Sequence, residues 1–209
     1  MQTDANYQLT THDQVAGVLG TPPDFIVAKL GDHVDEPARQ FIALAPLVFL
    51  ATHDSEGHAD VSPKGDAPGF VQVIDSTTLL IPERKGNNLA DGVRNIIDTG
   101  RVGMIFVVPG QRETLRVNGT ATVNNDPALL DRLAAHDKPS LLCTVVSVEE
   151  CFFHCGKSLI RSNIWKPDTW STSTESLMVK QTVTAMGGDP DLKPVIAATI
   201  EQNYIDDLY

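Results

Sequence analysis

Cysteine is scarce in this chain, with three residues in 209, at Cys143, Cys151 and Cys155. An odd, clustered set does not make the paired framework of a small secreted fold, so reduced thiols are expected. No second Cys/His pair stands at zinc spacing from Cys151, His154 and Cys155, which argues against a structural metal. The simpler reading is small residues packed near a strand end, with His154 held by a local hydrogen bond. Basic residues are in deficit too: 16 Lys and Arg face 27 Asp and Glu, for a formal net charge of -11 and a pI near 4.8. That balance argues against broad contact with nucleic acid or an anionic membrane, since both need an extended basic face. No apolar run approaches a membrane span, and the first five residues carry neither a basic region nor an apolar core, so a cytoplasmic protein without membrane contact is expected. There is no dinucleotide-binding glycine fingerprint, no Ser-His-Asp or paired-carboxylate arrangement, and no internal repeat.

What remains is ordinary globular material. At 209 residues and 42% hydrophobic content, the chain is long enough to bury one core without disulfide or metal. Thr11 and Gln14 have capping-box spacing ahead of Val15, Val18 and Leu19, and Pro22 and Pro23 stop that helix. A second helix is expected after Asp35, with Pro37 in its first turn and Phe41, Ile42, Leu44 and Ala45 on its apolar side. Residues 47–52 and 58–63 flank a polar turn and read as a hairpin. Further strands are expected over 70–74, 78–81, 102–108, 114–123 and 141–153, interrupted by short helices over 88–97 and 127–136. Ile196, Ile200, Tyr204 and Leu208 recur every four residues behind Pro194, which predicts a final helix with one buried face. Short connections without βαβ alternation predict a mainly β, antiparallel barrel or sandwich with flanking helices. We expect one domain: an N-terminal helical segment over 1–46, a core over 47–166, and a C-terminal loop and helix over 167–209.

One stretch runs against the acidic background. Pro82, Glu83, Arg84, Lys85, Gly86, Asn87 and Asn88 follow an apolar run and precede a helical segment. Two adjacent cations at a strand-to-helix junction, with backbone N–H groups left over at a helix start, make a chemically sensible phosphate seat. Asn88 can cap the helix, touch a ligand, or both.

These residues carry a resemblance. The order hairpin, Ser62-Pro63-Lys64-Gly65-Asp66, strand, the Leu80 to Asn88 stretch, helix, Arg101-Val102-Gly103-Met104-Ile105-Phe106, then Glu113-Thr114-Leu115-Arg116-Val117-Asn118-Gly119 resembles the pyridoxamine 5'-phosphate oxidase-related FMN-binding proteins over about residues 38–166. The resemblance implies a split β-barrel homodimer that binds FMN at two equivalent sites between subunits. It places the ribityl phosphate on Arg84 and Lys85, flavin contacts on Val61, Ser62, Pro63 and Lys64, and an amide contact on Asn88. The segment from His154 to Trp165 resembles the C-terminal signature of an uncharacterised branch, which implies that part of it reaches the flavin of the opposite subunit. If that segment is helical, Arg161 and Trp165 share a face toward one ligand. By themselves, Trp165 and Trp170 read as core or interface anchors. The arginine and histidine pattern with which true oxidases hold pyridoxal phosphate has no counterpart after Trp165, so the resemblance does not extend to that substrate.

Three functions follow as expectations. The first is an FMN-dependent oxidoreductase acting between a reductant such as NAD(P)H and a small-molecule substrate. The second is a flavin-binding or sensing protein without turnover. The third is the same barrel around heme or a deazaflavin, although the acidic composition offers nothing to a deazaflavin's anionic tail.

Overall fold

The computed structural model describes residues 4–209. A 3-10 turn at Ala5–Tyr7 precedes helices α1 (His12–Leu19), α2 (Asp24–Val27) and α3 (Glu36–Leu44). Thr11 and Gln14 form the reciprocal capping box at the start of α1. Asp35 accepts the Ala38 N–H at the start of α3, which turns Ala38, Phe41 and Ile42 into the core. Seven strands follow: β1 (Leu47–His53), β2 (Ala59–Gly65), β3 (Gln72–Val73), β4 (Thr78–Glu83), β5 (Arg101–Val107), β6 (Thr114–Asn124) and β7 (Leu142–His154). Between and after them lie α4 (Asp91–Thr99), α5 (Pro127–Arg132), α6 (Lys157–Ser162), α7 (Leu177–Ala185) and α8 (Leu192–Asp206).

The strands form one antiparallel sheet in the order β2-β1-β5-β6-β7-β4-β3. Alternation on β1 sends Val48 and Leu50 inward, opposite Phe106 and Met104 of β5, which in turn face Leu115 and Val117 of β6. With Ile42, Ile81, Val146 and Ile96 they make the main core. A smaller cluster of Leu80, Leu133 and Cys143 lies under α5, so β4 is buried on both faces, which is why 78–81 reads as an unbroken apolar run. The sheet curls until β2 and the end of β4 stand side by side, joined by side chains rather than by ladder bonds: Lys64 Nζ reaches Glu83 Oε2 at 2.6 Å and Arg84 Nε reaches Asp66 Oδ2 at 2.8 Å. The mainly β, split-barrel expectation is what the chain adopts.

Four local expectations change. β3 is cut to Gln72–Val73. β4 runs on through Pro82 and Glu83; β3 covers only Leu79 and Leu80, so Pro82 sits where β4 is an edge and its missing N–H costs no ladder bond. α4 starts at Asp91, not at 88: Asn88 and Ala90 both take left-handed backbone, with φ of 61° and 55°, and Ala90 rather than Asn88 is the cap position. α8 begins before Pro194 and has no buried residue; Ile196 and Ile200 are half-buried, where α7 packs along it. No described helix is long and apolar enough to cross a membrane.

Candidate functional site

The seam between β2 and β4 opens into a cavity of about 710 Å³. Its walls are the inner side of β2 (Asp60, Ser62, Lys64), the end of β4, the loop from Arg84 to Ala90 and the first turn of α4. Period-two alternation puts Ser62 and Lys64 on one face, opposite buried Leu50 and Val48. α4 rests on β2 at Gly92, where even a Cβ would be in ordinary van der Waals contact, 3.6 Å from Ser62 Oγ and 3.7 Å from Asp60 Oδ2. Asn95 fixes the helix by donating from Nδ2 to Thr52 Oγ1 of β1 at 3.0 Å.

Six of the residues singled out from the sequence, Ser62, Pro63, Lys64, Arg84, Lys85 and Asn88, line this one cavity. Val61 does not. It lies on the outer face of the same strand, opposite Ala51, and is 61% exposed. Arg161 and Trp165 are also elsewhere within the single chain. α6 ends at Asn163, whose φ is 52°, so the two share no helix face; the Trp165 indole N–H donates instead to Gln111 O at 2.7 Å.

The electrostatics differ from a bare cationic seat. Each cation is held by a carboxylate: Lys64 by Glu83, Arg84 by Asp66, Lys85 by Asp207. The first two pairs are nearly buried and the third is half-exposed. Burial acts to raise the Asp66 carboxyl, yet hydrogen bonds from the Ala67 N–H, Arg84 and the Tyr209 hydroxyl outweigh it and hold the group below its ordinary 3.8. Asp66 is therefore a carboxylate at neutral pH that takes Arg84 Nε and leaves the terminal guanidinium nitrogens for a ligand. The sequence reading missed Asp66, Glu83, Asp207 and Tyr209 as parts of this site. Asp66 had a signal, since it continues the Ser62, Lys64 alternation; Asp207 and Tyr209, 122 and 143 residues from their partners, had none.

The cavity combines cationic and apolar wall, which suits a ligand carrying both an anionic group and an apolar part. Arg84, Lys85 and the first turn of α4 give its cationic and N–H-bearing wall, and Pro63, Phe70, Pro82, Leu141 and Leu142 give apolar wall. Ser62 Oγ and Glu83 Oε1 are buried polar atoms without a protein partner, capacity that a hydroxyl-bearing ligand could use after a small rearrangement. A shallower groove of about 430 Å³ along α8, lined by Ala198, Thr199, Gln202, Asn203, Asp206 and Asp207, offers only neutral and acidic side chains and so no phosphate seat.

The Cys151, His154, Cys155 cluster is dispersed by the strand. Among the described residues, no group of His, Cys, Asp and Glu is placed to hold a metal. His154 lacks the local hydrogen bond expected of it: Nε2 is buried without a partner, and burial, then Arg116 and Lys29, lower its pKa. Burial, with Asp35 nearby, pushes the Cys151 thiol up to about 12, and burial raises Cys143 as well, whereas Cys155 is exposed. One thiol per native chain, Cys155, should therefore react with iodoacetamide at neutral pH, and three after denaturation. Peptide mapping that finds Cys151 labelled in the native protein would contradict this packing.

A family model described as pyridoxamine 5'-phosphate oxidase matches residues 34–155, more than half of the chain. A search of curated proteins finds no match. Among solved structures, HupZ from Group A Streptococcus is 20% identical, with 57% of this chain and 93% of that one covered at a TM-score of 0.48. A candidate pyridoxamine 5'-phosphate oxidase from Lactobacillus delbrueckii is 25% identical, with 58% and 95% covered at a TM-score of 0.48. The heme storage protein HutZ from Vibrio cholerae is 12% identical, with 58% and 94% covered at a TM-score of 0.40. The matched residues run from Val34 through all seven strands to Cys155 and enclose almost the whole cavity wall, so this chain belongs to the pyridoxamine 5'-phosphate oxidase family.

Proposed function

We propose that the cavity binds FMN and that the protein is an FMN-dependent oxidoreductase. The observation that carries this reading is that Arg84 and Lys85 line the same cavity as Ser62, Pro63 and Lys64 of β2, with apolar side chains making up part of the remaining wall. The terminal nitrogens of Arg84 and the Lys85 ammonium hold the ribityl phosphate, and the first-turn N–H groups of α4 add to the positive end. Ser62, Pro63 and Lys64 of β2 border the flavin, and Asn88 sits in the loop where its amide can reach it. Bound there, FMN supplies hydride or electron exchange between NADH or NADPH and a small-molecule acceptor. The chain's own task is to hold, orient and exclude water.

The working form in this proposal is a homodimer. Phe49, Ala51, Val61, Pro63 and Ile105 share the outer face of β1, β2 and β5, and Phe49 is 40% exposed. Such a face is suited to a second copy. Pro63 belongs both to that face and to the cavity wall, so a copy seated there lies beside the ligand. Arg161 and Trp165 of the partner subunit then complete the pocket, and Val61 serves the interface as well as the strand.

The test is light scattering on the purified protein with its absorption spectrum, followed by anaerobic addition of NADH and NADPH. A dimer with flavin bands, FMN on release and bleaching by either nucleotide is expected. A Soret band, or a protein that stays colourless with added FMN, overturns the cofactor. Bound flavin bleached by neither nucleotide at millimolar concentration leaves a binding or sensing protein, and a monomer that retains FMN removes the inter-subunit site.

A further inference from the structure

We propose that the segment after α8, residues 207–209, is a specificity element of the phosphate site, with Asp207 occupying at Lys85 the place of a ligand's anionic group. The identity of that ligand as FMN rests on the reading above; the competition itself does not. Contacts from three parts of the chain hold the segment in place. Lys85 Nζ donates to the Asp207 carboxylate. The Tyr209 hydroxyl donates to Asp66 Oδ1 at 3.0 Å, and that bond holds the hydroxyl above its ordinary pKa, so it remains a donor at neutral pH. The Tyr209 ring packs at 4.2 Å against His136, and its main-chain oxygen accepts from Lys138 Nζ at 2.7 Å. Leu208 and Tyr209 thereby form part of the cavity wall.

The three ion pairs of the site are not equivalent. Asp66 and Glu83 are buried against their cations and cannot leave without stranding a charge. The Lys85–Asp207 pair is half-exposed, and pairs of that kind are weak. A dianionic phosphate monoester has the charge to displace a single carboxylate from Lys85; a singly charged ligand gains little from the exchange. Asp207 therefore filters for phosphate monoesters over carboxylates. Tyr209 shares Asp66 with Arg84, the hydroxyl on Oδ1 and the guanidinium Nε on Oδ2.

Titrations of apoprotein with FMN, riboflavin and inorganic phosphate test this, with thermal shift as the phosphate readout. Asp207→Asn should bind FMN about two- to fivefold more tightly than wild type and respond to phosphate at lower concentration, with riboflavin affinity unchanged. In a Lys85→Ala background the same substitution should have no effect. Equal or weaker FMN and phosphate binding by Asp207→Asn, or an equal gain in the Lys85→Ala background, overturns the proposal. If neither protein binds FMN while the phosphate response still shifts, the flavin reading falls and the competition stands. If both bind FMN and phosphate alike, the competition falls and the flavin reading stands.

Discussion

Replacing Arg84 by alanine should weaken FMN binding by roughly ten- to a hundredfold, because a charge-assisted hydrogen bond to a dianion is worth about 1.5–3 kcal/mol. Riboflavin, which lacks the phosphate, should bind wild type and variant alike. The structure adds a second effect. Asp66, whose side chain is 3% exposed, loses its cation and stays behind as a buried carboxylate. Breaking a fully buried pair from one side costs about 3–5 kcal/mol; here the Ala67 N–H and the Tyr209 hydroxyl still donate to Asp66, so the single variant should melt early by less than that. Adding Asp66→Asn separates the two effects. The double variant should recover much of the stability, since the stranded charge is gone, and none of the FMN affinity. Calorimetric titration giving wild-type FMN affinity for Arg84→Ala would remove the residue from the phosphate site.

The substitution with the largest expected effect on the fold is Gly119→Ala. Gly119 follows the bulge at which the register of β6 against β7 shifts, and a Cβ built there would stand 2.0 Å from Ser147 O and 3.3 Å from Glu149 N. Those are main-chain atoms of the neighbouring strand, so no side chain can turn aside to make room. The two longest strands of the sheet would have to part, at a cost of about 3 kcal/mol or more. Gly17 in α1 is the control: nothing lies within 4 Å of its Cβ position, and Gly17→Ala should be neutral or stabilising by about 0.5–1 kcal/mol. Urea midpoints read both. An unchanged midpoint for Gly119→Ala would mean that β6 and β7 do not approach as closely as described.

Much of the architecture was legible because it rests on local chemistry. Thr11 and Gln14, or Asp35 and Pro37, announce a helix start within four residues, and alternation on β1 and β2 announces a half-buried hairpin. Elements that depend on distant packing were less legible. α7 was not expected, since its 177–185 run is short and buries only Val179. The buried face predicted for α8 failed because a four-residue apolar repeat says that a helix has a sticky side but not that anything covers it. The link between Arg161 and Trp165 failed at Asn163, where one left-handed residue ends α6.

The fold class, the family resemblance and the cationic pair at Arg84 and Lys85 could all be read from the chain unfolded on the page, because each is written in neighbouring residues. Folding was needed to show that Ser62, Pro63, Lys64 and Asn88 join that pair around one cavity while Val61 turns to the other face. Folding also gave every cation there a carboxylate partner. Those carboxylates come from just after β2, from the end of β4 and from beyond α8, up to 122 residues from the cation each holds. Local patterning fixes which way a side chain points along its own element; the curl of a seven-stranded sheet, and the helices packed on it, decide which other side chain it meets.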